Sequence, residues 1–424
     1  MPYIPPRTKL FNEHLVFDDS QIDEIPGEFY LYYVRLTTEF LSPAFEMTIL
    51  SEHADLDVKN QQTMDDCRSR CEMPNFVRDD INSDRAKLVL DYSTEGYWDI
   101  DWNWVTKIIE IDEDKIIWLT GIYNHKECDV GVNHPYKVTI NKTSAKVKYN
   151  FLWERIVYGL ISGYFEEIEK QLSLIGSLHK RPLMCISYNR RPHLHRIALL
   201  SKLLYHNELD NMIWSWGGIL GDGGGMGGDF TDYVARQQEI KDFSFSWGKF
   251  LHQKYRDSYD TILQSPVHAD VTEDISINQA ANTNFSHVHN TYYQIITETF
   301  FAEPGVFLSE KSYKPFLACQ PFVLCGQHHT VDVLRQQGYD VYDKWINHEY
   351  DTILDNKERM RVLTNEIIRL NSLSHEEWTK MLKEMLPTIK KNLKHLIDSG
   401  SKKDVLSFDY SEKVENPTMP NLNA

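Results

Sequence analysis

From Pro182 to Tyr342 short apolar runs alternate with helical stretches across brief polar turns. That alternation limits what the chain can fold into more than any single residue does. Pro182–Tyr188, Asn211–Trp216, Tyr292–Thr297, Pro321–Gly326 and Tyr339–Tyr342 read as strands. Leu194–His206, Ser312–Cys319 and Thr330–Gln337, the last closed by Gly338, read as helices. Such a βαβ series demands a parallel sheet with helices over its faces.

The first part of the chain repeats the logic less densely. Phe29–Leu36, Lys87–Tyr92 and Lys115–Gly121 are β-rich, with a helix expected after Asp101. Apolar residues at Ile156, Leu160, Ile161, Tyr164, Ile168 and Leu172 predict one amphipathic helix from Phe151 to about Ile175 that closes this half. Asp355 to Glu358 and Ser374 to Glu377 are capping boxes ahead of two long helices. The expected class is α/β, with domains at 1–175 and 176–350, terminal helices over 351–400 that cross back to the first domain, and a loosely held tail at 401–424.

Composition narrows the function. With 424 residues, 42% hydrophobic and 25% charged, the chain can bury a real core and is neither disordered nor collagen-like. Its formal charge of −17 repels phosphate polymers and anionic membranes, so nucleic-acid contact would need a locally basic surface. No apolar stretch is long enough for a membrane span and the first residues lack a signal-peptide layout, which places the chain in the cytoplasm. Cys185, Cys319 and Cys325 sit in apolar runs as reduced core thiols. Cys67 and Cys71 lack a second ligand pair at zinc-site spacing, so no metal is expected.

The segment from Glu298 to Pro315 carries the most chemistry. It joins a strand end to a helix start capped by Ser309 and holds Glu298, Glu303, Glu310, Lys311 and Lys314. Free N–H groups at a helix N-terminus bind anions, and ligands of open α/β sheets lie beyond the carboxyl ends of strands. Glu310 suits a pair of ribose hydroxyls, and Lys311 or Lys314 suits a diphosphate. Read alone, the same residues also describe an exposed, charge-laced helix start. Gly221–Gly228 lacks the Gly-Lys-Ser/Thr end of a P-loop and reads as a mobile lid, and His287, His289, His328 and His329 read as polar loop residues.

Ser309 to Arg335, SEKSYKPFLACQPFVLCGQHHTVDVLR, resembles the donor-binding half of fucosyltransferase- and exostosin-like glycosyltransferases with two facing Rossmann-like domains, the GT-B arrangement. Cys185 to Arg196 resembles the entry strand and loop of that half, and Arg190, Arg191 and Arg196 are then candidates for contact with the donor diphosphate. The resemblance covers about a quarter of the chain, 297–370. It implies transfer of a sugar from a nucleotide diphosphate co-substrate to an acceptor hydroxyl, with no tightly bound cofactor. Its donor-contact set is Arg190, Arg196, Glu298, Ser309, Glu310, Lys311 and Lys314. Side-chain cations would form the clamp, because no Asp-x-Asp pair closes an expected strand. Glu95, then Asp91, are candidates for the general base. Such proteins resemble those of tailed phages, so a hydroxymethylated base in DNA stands beside a glycan or small molecule as acceptor; a binding module of the same fold without activity is the remaining alternative.

Overall fold

The computed structural model describes residues 9–10, 13–14, 16–17, 30–35, 75–93, 102, 106, 109–123, 144–149, 152–189, 193–217, 250–264, 267, 283–303 and 305–400. The protein is α/β and divides into two units, Met1–Leu152 and Trp153–Ser401.

In the first unit, strand β1 (Val16–Phe17) runs antiparallel to β2 (Tyr30–Arg35). The sheet continues in parallel through β3 (Ala86–Tyr92), β4 (Ile116–Thr120) and β5 (Lys146–Tyr149). Every residue of β4 is buried, as expected for a strand covered on both faces, and Trp118 meets Trp102 edge-on with ring centres 5.5 Å apart. Helix α1 (Asn75–Asn82) precedes β3 and packs on it. The described parallel strands follow one another in chain order, so their order never reverses.

The second unit opens with helices α2 (Leu152–Leu160) and α3 (Phe165–Gly176), which the sequence pattern merges into one. A tight turn at Ile161–Tyr164, containing Gly163, separates them. Their place in this unit, where periodicity alone puts them with the first half, follows from their contacts. Glu154 accepts from Tyr339 Oη at 2.5 Å and Ser399 Oγ at 2.6 Å, and α3 packs on the last helix.

Four parallel strands follow: β6 (Leu183–Asn189), β7 (Met212–Trp216), β8 (Thr291–Thr297) and β9 (Phe322–Cys325). Their order across the sheet is β7-β6-β8-β9, which reverses direction between β6 and β8. Right-handed crossovers then place helices on both faces. Accordingly α4 (Leu194–Tyr205), α5 (Arg256–Gln264) and α8 (Asn356–Asn371) pack together, while α9 (His375–Gly400) packs with α3 and with α6 (Glu310–Leu317). Helix α7 (Thr330–Gln336) follows β9 and ends at Gly338, whose φ of 97° is the left-handed stop.

The centre is aromatic. Trp378 stacks on Tyr293 at 5.1 Å and on Tyr292 at 5.6 Å, and its Nε1 donates to Leu370 O at 2.8 Å, joining α8 to α9 over β8. Arg181, buried ahead of β6, donates to Val288 O at 2.7 Å and Gln171 Oε1 at 3.1 Å; burial holds its guanidinium down to about 10. Cys185, Cys319 and Cys325 are buried and free, and burial pushes the last two thiols up to about 12.

The strand expected at Tyr339–Tyr342 does not form. Tyr342 takes a φ of 69°, and Asn392 of α9 occupies both backbone groups of Asp340, accepting from its N–H at 2.9 Å and donating to its carbonyl at 2.7 Å. A side-chain amide therefore stands where a neighbouring strand would pair. At one margin of the sheet Tyr350 Oη accepts from Leu324 N at 3.1 Å; at the other Val267 exchanges two 2.7 Å backbone bonds with Trp216.

Candidate functional site

The reversal between β6 and β8 marks the place in the strand order at which ligands of open α/β sheets bind. The edge there is built from strand ends. Thr297 Oγ1 donates to Asn189 Oδ1 at 2.9 Å, bridging the two strands, and Asn189 Nδ2 donates to Ser187 Oγ at 3.0 Å. Behind them α4 sends His195 and Arg196. The His195 Nε2 lies 2.9 Å from Glu298 O, and Arg196 Nη2 donates to the carbonyls of Thr297 and Glu298 at 3.2 and 3.1 Å. Both side chains are buried; burial, then the Arg196 charge, holds His195 far below its ordinary value, so it is neutral at pH 7.

Glu298 has no exposed surface. Its carboxylate accepts from Ser309 Oγ at 2.7 Å, Ser312 Oγ at 2.6 Å, Ser309 N at 3.1 Å and Thr299 N at 3.2 Å. It thus pins the start of α6 against the end of β8. Ser309 caps α6 by accepting from Lys311 N at 3.3 Å, and the Lys311 ammonium donates to the same Oγ at 2.9 Å. Of the backbone donors at this helix start, Ser309 N is therefore engaged by Glu298, and Lys311 N and Ser312 N by Ser309. What faces outward is side-chain charge: Glu310, 12% exposed, lies 3.5 Å from Lys311, 30% exposed. Burial works to raise the Glu310 carboxyl, but Lys311 and Lys314 outweigh it and the net shift is downward, so Glu310 is ionised at pH 7. Burial, reinforced by Lys311 and opposed by Glu310, lowers Lys314 to about 8.

The loop between Glu298 and Ser309 is held from below. Gln327, after β9, accepts from Phe307 N at 2.8 Å and donates to Glu303 O at 3.1 Å. Arg359 of α8 donates to Phe301 O and, at 2.7 Å, to Ile353 O, with its guanidinium 4.3 Å from the Phe301 ring centre; Phe301 in turn stacks on His195 at 5.5 Å. Gly326 completes the turn after β9, where a Cβ would come within 2.7 Å of Leu324 Cδ2 and 2.9 Å of Thr330 Oγ1.

Of the residues singled out in the sequence, Arg196, Glu298, Ser309, Glu310, Lys311 and Lys314 gather at this edge. Arg196 and Glu298 serve it from beneath, as supports for the strand end and the helix start. Arg190, Arg191 and Glu95 lie outside the described residues. Asp91 belongs to β3 of the other unit, its backbone registered with Arg35 and Leu119. His287 and His289 lie in the helical turn Phe285–His289, with His287 Nδ1 2.5 Å from Tyr188 Oη. His328 Nε2 lies 2.9 Å from Thr352 O. Among the described residues no group of three His, Cys, Asp or Glu side chains is arranged to hold a metal, and none of the helices is long and apolar enough to cross a membrane.

Sequence reasoning missed Asn189, Thr297, His195, Ser312, Gln327 and Arg359. The first two carried a usable signal, since Thr297 closes and Asn189 directly follows a run expected to be a parallel strand. The chain matches no protein-family model, no curated protein and no solved structure.

Proposed function

We propose that the protein is a glycosyltransferase whose second unit takes up the nucleotide diphosphate of an activated sugar at the carboxyl edge of β6 and β8. In this reading the two units are facing Rossmann-like domains of the GT-B type. The observation that carries it is the joining of the strand-order reversal to the Glu310–Lys311 ion pair, with half-buried Lys314 beside it, on a helix start fixed by Glu298. Glu310 accepts from ribose hydroxyls, and Lys311 with Lys314 offsets the charge that develops on the departing diphosphate. Glu95 or Asp91 takes the proton of the acceptor hydroxyl. The acceptor is a glycan, a small molecule or a hydroxymethylated base.

A thermal-shift panel of nucleotide diphosphate sugars tests the reading. A donor at about 100 times its Kd adds about 2.7 kcal/mol to stability. Lys311→Ala should weaken that donor about tenfold, the loss of one charge-assisted contact. A panel in which no donor raises the melting temperature sinks the proposal.

A further inference from the structure

A second cationic cluster lies away from the strand-order reversal, at the last turn of α4. Lys202 is 3% exposed, yet among the described residues its ammonium has no hydrogen-bond acceptor and no carboxylate within ion-pair distance. Its nearest defined partner is the Tyr255 ring, whose centre lies 5.4 Å from Nζ. Lys254 Nζ is 4.8 Å from the same ring and 5.4 Å from that of Tyr205, and the two tyrosines meet edge-to-face at 4.9 Å. Tyr205 is 44% exposed. Lys357 and Arg361 come from the start of α8, and Glu358, the carboxylate that acts on Lys202, is held by the Arg361 guanidinium, with Nε donating at 2.7 Å.

The Lys202 stem is buried against the Tyr255 ring, and no described carboxylate stands within ion-pair distance of its charge. Burial, then the Arg361 and Lys254 charges, lowers Lys202 to about 8, so it remains mostly charged at pH 7. His252 and His206 face the same cations and are held below their ordinary value by burial and then by Lys357 or Lys254, so neither adds to the positive charge at pH 7. Glu208, also near His206, is taken up by Asn371 Nδ2 at 2.9 Å. A chain of net charge −17 has here gathered cations around exposed and buried aromatic rings and left one of them without its anion.

We propose that Lys202, Lys254 and Lys357, with the exposed ring of Tyr205, form a binding site for single-stranded nucleic acid, phosphates meeting the ammonium groups and a base stacking on the tyrosine. Interleaved cations and aromatic faces are what a strand requires, and stacking tolerates any base. The site stands independently of the glycosyltransferase reading.

The test is fluorescence anisotropy of the full chain with a labelled oligothymidylate of about 12 residues. Three phosphate contacts give a salt slope of about −2, an affinity loss of about 18-fold between 50 and 200 mM salt. Lys202→Met and Lys254→Ala should each weaken binding and flatten the slope by about 0.7. Tyr205→Ala should weaken it about tenfold with the slope unchanged. Lys202→Met keeps the buried aliphatic stem and removes only the charge, so it should melt close to wild type and lost binding is not lost folding. Absence of binding at 50 mM salt, affinity unchanged from wild type in the two lysine variants, or complete displacement by an equal concentration of inorganic phosphate each overturns the proposal.

Discussion

Glu298 shows how far a single residue can be read before the fold is known. Its position at the end of a strand and ahead of a capped helix marks it as part of the site. Its direction is not in that pattern, because the loop through Phe301 turns the start of α6 back over the strand end and surrounds the carboxylate with donors. Lys202 was equally hidden, since an apolar-rich helix with a lysine in its last turn is an ordinary sequence; its burial comes from Tyr255, 53 positions away. Removing the Glu298 carboxylate strands two hydroxyls and two N–H groups. Glu298→Ala should therefore cost roughly 3 kcal/mol, with Glu298→Gln losing less. Urea unfolding would register this as a lower midpoint at unchanged slope; a midpoint equal to wild type would show that Glu298 does not hold the helix.

Elements were legible where their signals are local. Ser374 and Glu377 form the reciprocal cap expected of them, Ser374 N donating to Glu377 Oε2 at 2.8 Å and Glu377 N to Ser374 Oγ at 3.2 Å. Asp355 likewise accepts from Glu358 N at 2.8 Å, although the Glu358 side chain turns to Arg361 instead of closing the box. Strands β6, β8 and β9 fall within a residue or so of where apolar runs and turn residues put them. The segment at Tyr339–Tyr342 failed because its pairing partner is a side chain 52 residues onward, which no local window contains. The two cases differ in energy as well. Ser374→Ala gives up one solvent-exposed cap, worth about 1 kcal/mol. Asn392→Ala leaves a half-buried N–H and carbonyl without partners and should cost roughly 2 kcal/mol or more. Thermal melts of the two variants should keep that order, and the reverse order would rule out the strand-like role of Asn392.

For the molecule as a whole, two buried groups near β9 set opposing responses to acid. Burial lifts the Asp351 carboxyl to about 6 against the pull of the Val331 and Asp332 N–H groups, and burial lowers His348 to about 4, from ordinary values of 3.8 and 6.5. A raised carboxyl contributes stability that is complete below about pH 4 and gone once pH passes about 6. A lowered imidazole contributes stability that is complete above pH 6.5 and lost toward pH 4. Each shift is worth about 3 kcal/mol, and in the wild type they offset one another. Between pH 6.5 and 4, Asp351→Asn should lose about 3 kcal/mol more than wild type and His348→Gln about 3 kcal/mol less, measured by urea unfolding at stepped pH. Parallel curves for all three proteins would contradict it. The covered margins of the second sheet matter at the same scale. With Leu324 N–H engaged by Tyr350 and Trp216 bridged to Val267, those positions offer no template on which the sheet of another copy can add itself. Resistance to fibril-like stacking is thus built into a phenol and a single bridging valine.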